Sequence, residues 1–469
     1  MLLGYRAFLT YRIDLVRIEM SLKLSAGSAT ANITPPLGTA IPGGFRPRYA
    51  TGIDDELLAR SLILQNGITT LAFATCDLIV VSEKISDRAK RRISERCEIP
   101  PENVMINATH THTGVATSDL LCVDEDHNYT DWVSFKIADS VELALRRLRP
   151  ARIGFAVAIE DRISFYRRWS LKNGNVVMNP GVENPDLARP VGEIDPELSM
   201  IYVEADDGTP ISAVANFSLH YVGTDNGSTI SADYFGHFSR LMKRYIGETC
   251  VAMIWNAASG QINNIDFSGQ TKWQDRGHQQ AIRMANVLAG HFITEMQLMT
   301  LRSEIELTSA IETMTVPRKG VTVKDLTTAT EILEASPNFN YDNGPFSWVV
   351  GQPIPKNLVD VYAHECRRLA KLPDQLSAKV QLLRVGEAMI SALPGEVFVE
   401  VGKSIKTIAK GEPNFVVSLA NGYIGYICTD VALTNQGGYE TWAALSSIGG
   451  VGTAPMLEKT IGHLLSKLS

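Results

Sequence analysis

The sequence predicts an α/β protein in which mixed β-sheets are flanked by α-helices, and three observations predict it. Runs rich in Val, Ile, Leu and aromatic residues recur at strand length. Segments with apolar residues three or four apart and a charged opposite face recur at helix length, and the two kinds alternate along the chain. The composition is that of a globular protein, with 45% apolar and 20% charged among 469 residues, and its length suits one large enzyme domain as well as several smaller ones.

Residues 1 to 20 mix Arg6, Arg12, Asp14, Arg17 and Glu19 into short apolar runs. They lack the unbroken apolar core of roughly 7–15 residues that marks a secretory signal. Met20 is followed by a small, polar run from Ser21 to Ala29 and a turn signal at Pro35-Pro36. Residues 1–20 are therefore expected to be a dispensable extension and 21–469 a single domain. Strands are expected at Ser61 to Leu64, Leu71 to Ala74, Val104 to Ala108, Ile153 to Ala158, Met200 to Val203, Ile211 to Phe217, Val251 to Trp255, Val380 to Val385, Ala388 to Ala392 and Phe415 to Leu419. Helical spacing covers Glu83 to Cys97, Trp132 to Leu148, His278 to Met299, Leu358 to Leu369 and Val397 to Ala409. Asn, Gly and Pro clusters make Ser336 to Lys356 a long surface loop beside a binding face. Arg88, Lys90, Arg91 and Arg92 read as a solvated helix face.

Several function classes are excluded or disfavoured. A net charge of -7 offers no basic footprint for nucleic acid. No apolar run reaches the ~18 residues of a membrane span. Cys76, Cys97, Cys122, Cys250, Cys366 and Cys428 are scattered without a C-x-x-C pair, which fits reduced core thiols and a cytoplasmic location. The expected partner is a small-molecule substrate; nothing in the sequence fixes the oligomeric state.

The strand Val104 to Ala108 runs into Thr109-His110-Thr111-His112-Thr113-Gly114. Residues two apart on a strand share a face, so His110 and His112 can aim at one point and begin a metal site; alternatively one caps a turn and the other is a core residue. His220 closes a second strand, Val214 to Leu219. Glu396, in Leu393-Pro394-Gly395-Glu396, follows an apolar run and opens a helix, where its charge also suits the helix N-terminus. Tyrosines and glycines cluster in Asn421 to Tyr426 and in Gln436 to Glu440, a pattern that serves packing or catalysis.

In this order these segments resemble the catalytic domain of the neutral/alkaline, non-lysosomal ceramidases. The resemblance is carried by Ala31 to Pro35, Gly52-Ile53 with Leu58 to Arg60, Asp77-Leu78, Ala108 to Gly114, the strand ending at His220, Ser231 to Asp233, Pro394 to Glu396, and Asn421 to Tyr426 with Tyr439-Glu440. It implies a ceramidase-like fold with Zn²⁺ held by His110, His220, Glu396 and Tyr426. It further implies that His112 and Tyr439 line the reaction centre with an arginine, taken as Arg168. The family's essential serine block corresponds here to Gly260-Gln261-Ile262-Asn263-Asn264, so Asn263 stands where the serine would be. An amide is no nucleophile but can donate to an oxyanion. Ceramide is therefore disfavoured as the substrate, and the family's immunoglobulin-like C-terminal domain has no counterpart.

The implied chemistry is hydrolysis of an amide (N-acyl) bond by metal-activated water, with His112 as base and Tyr439 and Asn263 as oxyanion donors. An ester or lactone hydrolase on the same site, and a metal-binding protein without turnover, are the alternatives. Arg46, Arg48, Arg167 and Arg168 either recognise a small anionic substrate by forked hydrogen bonds or form surface ion pairs.

Overall fold

The computed structural model describes residues 22–271, 273, 276–335 and 345–468. The expected extension at 1–20 and the first part of the expected loop, 336–344, lie outside them. Twelve strands of four or more residues build two mixed sheets. The larger is formed by β1 (Ser25–Asn32), β2 (Leu58–Gln65), β3 (Thr70–Cys76), β4 (Val104–Ala108), β5 (Arg149–Ile159), β6 (Glu197–Ala205), β7 (Pro210–Phe217) and β8 (Val251–Asn256), in the order β8-β7-β6-β5-β1-β2-β3-β4. The smaller has the order of the chain: β9 (Leu307–Pro317), β10 (Gln375–Val385), β11 (Ala388–Ala392) and β12 (Asn414–Val417).

The two sheets stack on a shared apolar layer that includes Phe73, Trp255, Ile390 and Phe415. Outside the large sheet lie α1 (Glu83–Cys97) and α2 (His127–Leu145) over one end, and α3 (Asp233–Ile246) and α4 (His278–Met296) over the other. Outside the small sheet lie α7 (Val399–Ala409) and α8 (Thr453–Leu468). The result is a four-layer helix–sheet–sheet–helix sandwich, as the alternation of strand and helix patterns requires. Beside it, α5 (Val323–Glu334) and α6 (Val359–Leu369) enclose a small core of their own.

Within these two sheets three strand pairs are parallel, β3 with β4, β7 with β8 and β11 with β12, and the others are antiparallel. Parallel neighbours need a crossover, and α1, α3 and α7 supply one each. Ligand sites in such sheets gather beyond the carboxyl ends of the parallel strands.

Where structure and expectation differ, the cause is local. The small, polar run from Ser21 to Ala29 lies outside the expected strands, yet Ser25 onward forms β1 in the middle of the large sheet. Its residues are small because α2 passes close by; a Cβ on Gly27 would lie 2.3 Å from the Ala144 carbonyl oxygen. Glu396 does not open a helix. It sits in a two-residue strand paired with Tyr426-Ile427, and α7 begins three residues later. The basic run on α1 is not uniformly solvated either: Lys90 is 3% exposed, and its ammonium nitrogen has no hydrogen-bond partner. All six cysteines are free thiols, four of them buried.

Burial, helped by neighbouring Lys379, lowers the Lys90 pKa from 10.5 to about 7. Between those values the unfolded chain holds a proton that the folded chain does not, so stability rises with pH across this window. Lys90→Met should therefore raise the melting temperature by several degrees at pH 6, with the gap closing toward pH 10. A gap that stays constant with pH in thermal unfolding would contradict the burial of a chargeable amine here.

Candidate metal centre

His110 and His112 lie beyond the end of β4, in a turn where His110 has φ of 77°. Strand alternation therefore does not aim them; hydrogen bonds do. The His110 amide donates to the Leu78 carbonyl (2.9 Å), and the Thr111 and Thr113 hydroxyls donate to the Ser231 carbonyl (2.6 and 3.0 Å). Arg48 clamps the turn from outside by donating to the carbonyls of His112, Pro42 and Gly227 (2.8–3.0 Å). The loop opposite approaches so closely that a Cβ on Gly43, which has φ of 86°, would stand 2.3 Å from His112 Nδ1. Only glycine fits there. His220 likewise lies three residues past β7. The loop after it is tied down by Asp233, whose carboxylate accepts from the Val222 and Gly223 amides (3.1 and 2.7 Å).

These loops bring three imidazoles together, with one ligand nitrogen from each within 4.8 Å of the others. Each ring donates its Nδ1–H to a backbone carbonyl: His110 to Ile79 (2.7 Å), His112 to Gly43 (3.0 Å) and His220 to Ser259 (3.1 Å). Because a carbonyl only accepts, the tautomer follows, and in the neutral rings all three Nε2 lone pairs face inward. His110 Nε2 lies 3.1 Å from His112 Nε2. Glu396 Oε2 lies 3.3 Å from His110 Nε2 and 3.8 Å from His220 Nε2, while its Oε1 accepts from the Tyr423 hydroxyl (2.8 Å).

Convergent lone pairs and a carboxylate oxygen that is buried without a hydrogen-bond donor are what a bound cation satisfies. The His110, His112 and His220 group can hold a metal ion. Burial, reinforced by His110, pushes His112 and His220 well below the ordinary histidine value of 6.5, which keeps both rings neutral and able to ligate. Burial opposes the charge of Glu396. His110 when its ring is protonated, together with Tyr423 and Arg167, favours that charge and holds the carboxyl below its ordinary value.

Tyr426 is the register partner of Glu396 across their short parallel bridge, so the two side chains enter the site side by side. The Tyr426 hydroxyl accepts from Arg167 (3.1 Å), and the ring of Tyr439 packs edge-on to that of Tyr426, centroids 5.6 Å apart. Arg167, not Arg168, is the arginine that reaches Tyr426. Successive residues of extended chain face opposite ways, and Arg168 turns to the Gly437 carbonyl (2.8 Å) and Gln436 (3.2 Å). Both guanidiniums share the buried Glu440 carboxylate, at 2.9 and 3.4 Å. Arg46 forms a forked pair with Asp360 (2.7 and 3.0 Å). All four arginines are thus engaged by the protein, and they give no support to an anionic substrate.

Asn263 is engaged by neighbouring asparagines. Its Nδ2 donates to Asn179 (2.9 Å) and its Oδ1 accepts from the Asn264 amide (2.7 Å). Sequence reasoning missed Tyr221, which stacks flat on His112 with ring centroids 3.5 Å apart and planes 11° apart. An aromatic next to His220 was the available signal. Tyr439 and Trp442 also border an apolar cleft of about 560 Å³, closed by Phe45, Val176, Val177 and Ile354. Residues 352–356 of the expected surface loop line it. Among the described residues, no helix is long and apolar enough to cross a membrane.

The fold and this site define a mixed-sheet α/β protein with a buried, metal-capable histidine cluster at its strand ends. No family model matches the chain. Neutral ceramidase of Pseudomonas aeruginosa is 24% identical over 201 residues, covering 40% of this chain and 28% of that protein. Neutral ceramidase A of Dictyostelium discoideum is 22% identical over 287 residues, covering 55% of this chain and 38% of that protein. The matched stretches thus span well under half of either relative. The crystal structure of the P. aeruginosa enzyme superposes on 95% of this chain and 74% of its own, with a TM-score of 0.69 at 18% identity. A structure described as ceramidase complexed with C2 covers 95% of this chain and 75% of its own, with a TM-score of 0.71, also at 18% identity. The chain is neutral-ceramidase-like in sequence and in fold.

Metal titration of purified protein monitored by thermal unfolding should show a rise in melting temperature that saturates near one equivalent. His110→Ala should abolish that rise. Arg167→Met should weaken metal affinity more than tenfold, while Arg168→Met should leave it within a few-fold. Equal effects of the two arginine changes would contradict the assignment of Arg167 to Tyr426.

Proposed function

We propose that the chain is a metal-dependent hydrolase of amide (N-acyl) bonds, with zinc on His110, His220, Glu396 and Tyr426. The observation that carries this reading is the convergence of carbonyl-locked Nε2 lone pairs on the orphaned Oε2 of Glu396. Soft imidazole nitrogens with one carboxylate suit zinc better than calcium or magnesium. A zinc ion bound there would lower the pKa of water toward ~7 and polarise the substrate carbonyl.

The remaining work falls to this chain's own residues. His112 is the least buried of the three histidines. It is neutral at pH 7, so its Nε2 can take the water's proton and pass it to the departing amine. Tyr439 is held protonated, chiefly by burial and then by Glu396, so its hydroxyl is a donor for the oxyanion of the tetrahedral intermediate. Asn263 keeps one amide hydrogen beyond the one given to Asn179. Arg167 holds the Tyr426 oxygen in place and favours its ionised form. The apolar cleft beside Tyr439 suits the hydrocarbon part of an N-acyl substrate, and its volume lies in the small-molecule range.

Purified protein supplied with zinc should release amine from N-acyl amides, and a chelator should abolish the release. His112→Ala should retain the metal but lose at least ~10²-fold in kcat. Loss of the metal along with turnover would make His112 a ligand rather than the base. Val177→Trp, which fills the cleft, should raise KM for longer acyl chains and leave short-chain amides nearly unchanged.

A further inference from the structure

A second cleft, of about 770 Å³, opens at the far end of the large sheet. Ile211 and Val251, near the starts of β7 and β8, form its floor, whereas His220 lies beyond the opposite end of β7. Eight residues of strand, roughly 26 Å, separate the two places. Its walls carry Arg60, Arg147, Arg149, Arg240 and Lys243 against Asp55, Glu56 and Glu248; with Arg60 neutralised by buried Asp77 behind the wall, one positive charge is in surplus on a chain whose net charge is -7.

The cations differ in how far they are committed. Arg60 is paired with buried Asp77 (2.7 Å), Arg240 with Asp55 (3.3 Å) and Lys243 with Glu248 (3.0 Å). Arg147 gives one nitrogen to the Ser28 carbonyl at 3.3 Å and keeps the rest of its fork. Arg149 makes no hydrogen bond or close ion pair among the described residues, and its charge is felt by exposed Asp207. The two sit two positions apart where α2 hands over to β5, on backbone held rigidly. Ala26 pairs with Arg149 across the sheet, and at Gly27 a Cβ would press to 2.9 Å on the Arg147 carbonyl carbon. Two guanidinium forks on fixed backbone, opposed within the lining by Glu56 alone once the other pairs cancel, match the geometry and charge of a small oxyanion.

We propose that this cleft is a second ligand site, separate from the metal centre, for a small oxyanion of two negative charges held by Arg147 and Arg149. Isothermal titration calorimetry in dilute chloride buffer tests it, with inorganic phosphate in one arm and succinate in the other. One of these dianions should bind at a single site, and the arm that binds assigns the ligand as phosphate or carboxylate. Affinity should fall about tenfold for each of Arg147→Gln and Arg149→Gln. It should survive His110→Ala, which separates this cleft from the metal centre. Absence of heat from both anions, unchanged affinity in the double arginine variant, or loss of binding in His110→Ala would each overturn the proposal. Unfolding curves without added anion keep the comparison to variants that fold like the parent.

Discussion

Three backbone carbonyls, those of Ile79, Gly43 and Ser259, decide what the centre of this molecule can be. Each takes the Nδ1–H of one histidine and so leaves that ring's Nε2 lone pair pointing inward. Without these carbonyls the rings could turn or exchange tautomers, and the cluster would be a polar patch. With them, like poles face one another at 3.1 Å beside an ionised, buried carboxylate. Such an arrangement is unfavourable until a positive charge enters it. The carbonyls come from three distant parts of the chain: the turn after β3, an early loop and the turn after β8. Only the completed fold sets their spacing.

The topology explains why the site is where it is. His110 follows β4, His220 follows β7, Glu396 follows β11 and Tyr426 follows β12, and each of these strands belongs to a parallel pair bridged by a helix. The antiparallel strands between them contribute no side chain to the cluster; they fix the distance between the two ends of the large sheet. The small sheet is joined to β4 through Asn421, whose amide donates to the Ile106 carbonyl (2.8 Å), and through the Ala108 amide, which donates to the Leu419 carbonyl (3.1 Å). This seam carries the Glu396 and Tyr426 loops to the histidines. A slip there would separate the carboxylate from the imidazoles without altering either core.

Much of this was legible in the sequence, for physical reasons that differ by element. The strand Val104 to Ala108 and the helix Glu83 to Cys97 match their expected bounds because dense β-branched residues and a Ser82 cap leave little choice. The central strand β1 was illegible: close packing demanded Ser, Ala and Gly, and such residues lack the β-branched signature of a strand. The strand β9 and helices α3, α5 and α8 went unmarked, although α3 carries a strong apolar face with Tyr234, Phe235, Phe238 and Met242 buried on it. Within the site, residue types and order pointed to the cluster, but directions did not. A turn with positive φ aims His110, and a two-residue bridge, rather than a helix N-terminus, holds Glu396. Which of two adjacent arginines faces Tyr426 depends on strand phase, which a two-residue window does not reveal. Lys90 was misjudged because one position on a basic helix face points at the neighbouring sheet.

The buried charges around Tyr426 balance before any metal is considered. Glu396 and Glu440 supply two negative charges, and Arg167 and Arg168 supply two positive ones, all at 6% exposure or less on their side chains. Removing Glu440 would leave two guanidiniums facing each other in a desolvated space, so this carboxylate is a condition for having Arg167 near the site at all. A divalent cation adds two charges to a set that is already neutral. Burial, then Glu396 and Tyr439, hold the Tyr426 hydroxyl well above its ordinary value, and Arg167 pulls the other way through its 3.1 Å hydrogen bond. Ligation of a metal by Tyr426, as proposed, would release the phenol proton, so its affinity would strengthen as pH rises. The arginine pair and Glu440 belong to the chemistry of the site even though Arg168 and Glu440 touch none of the four proposed ligands.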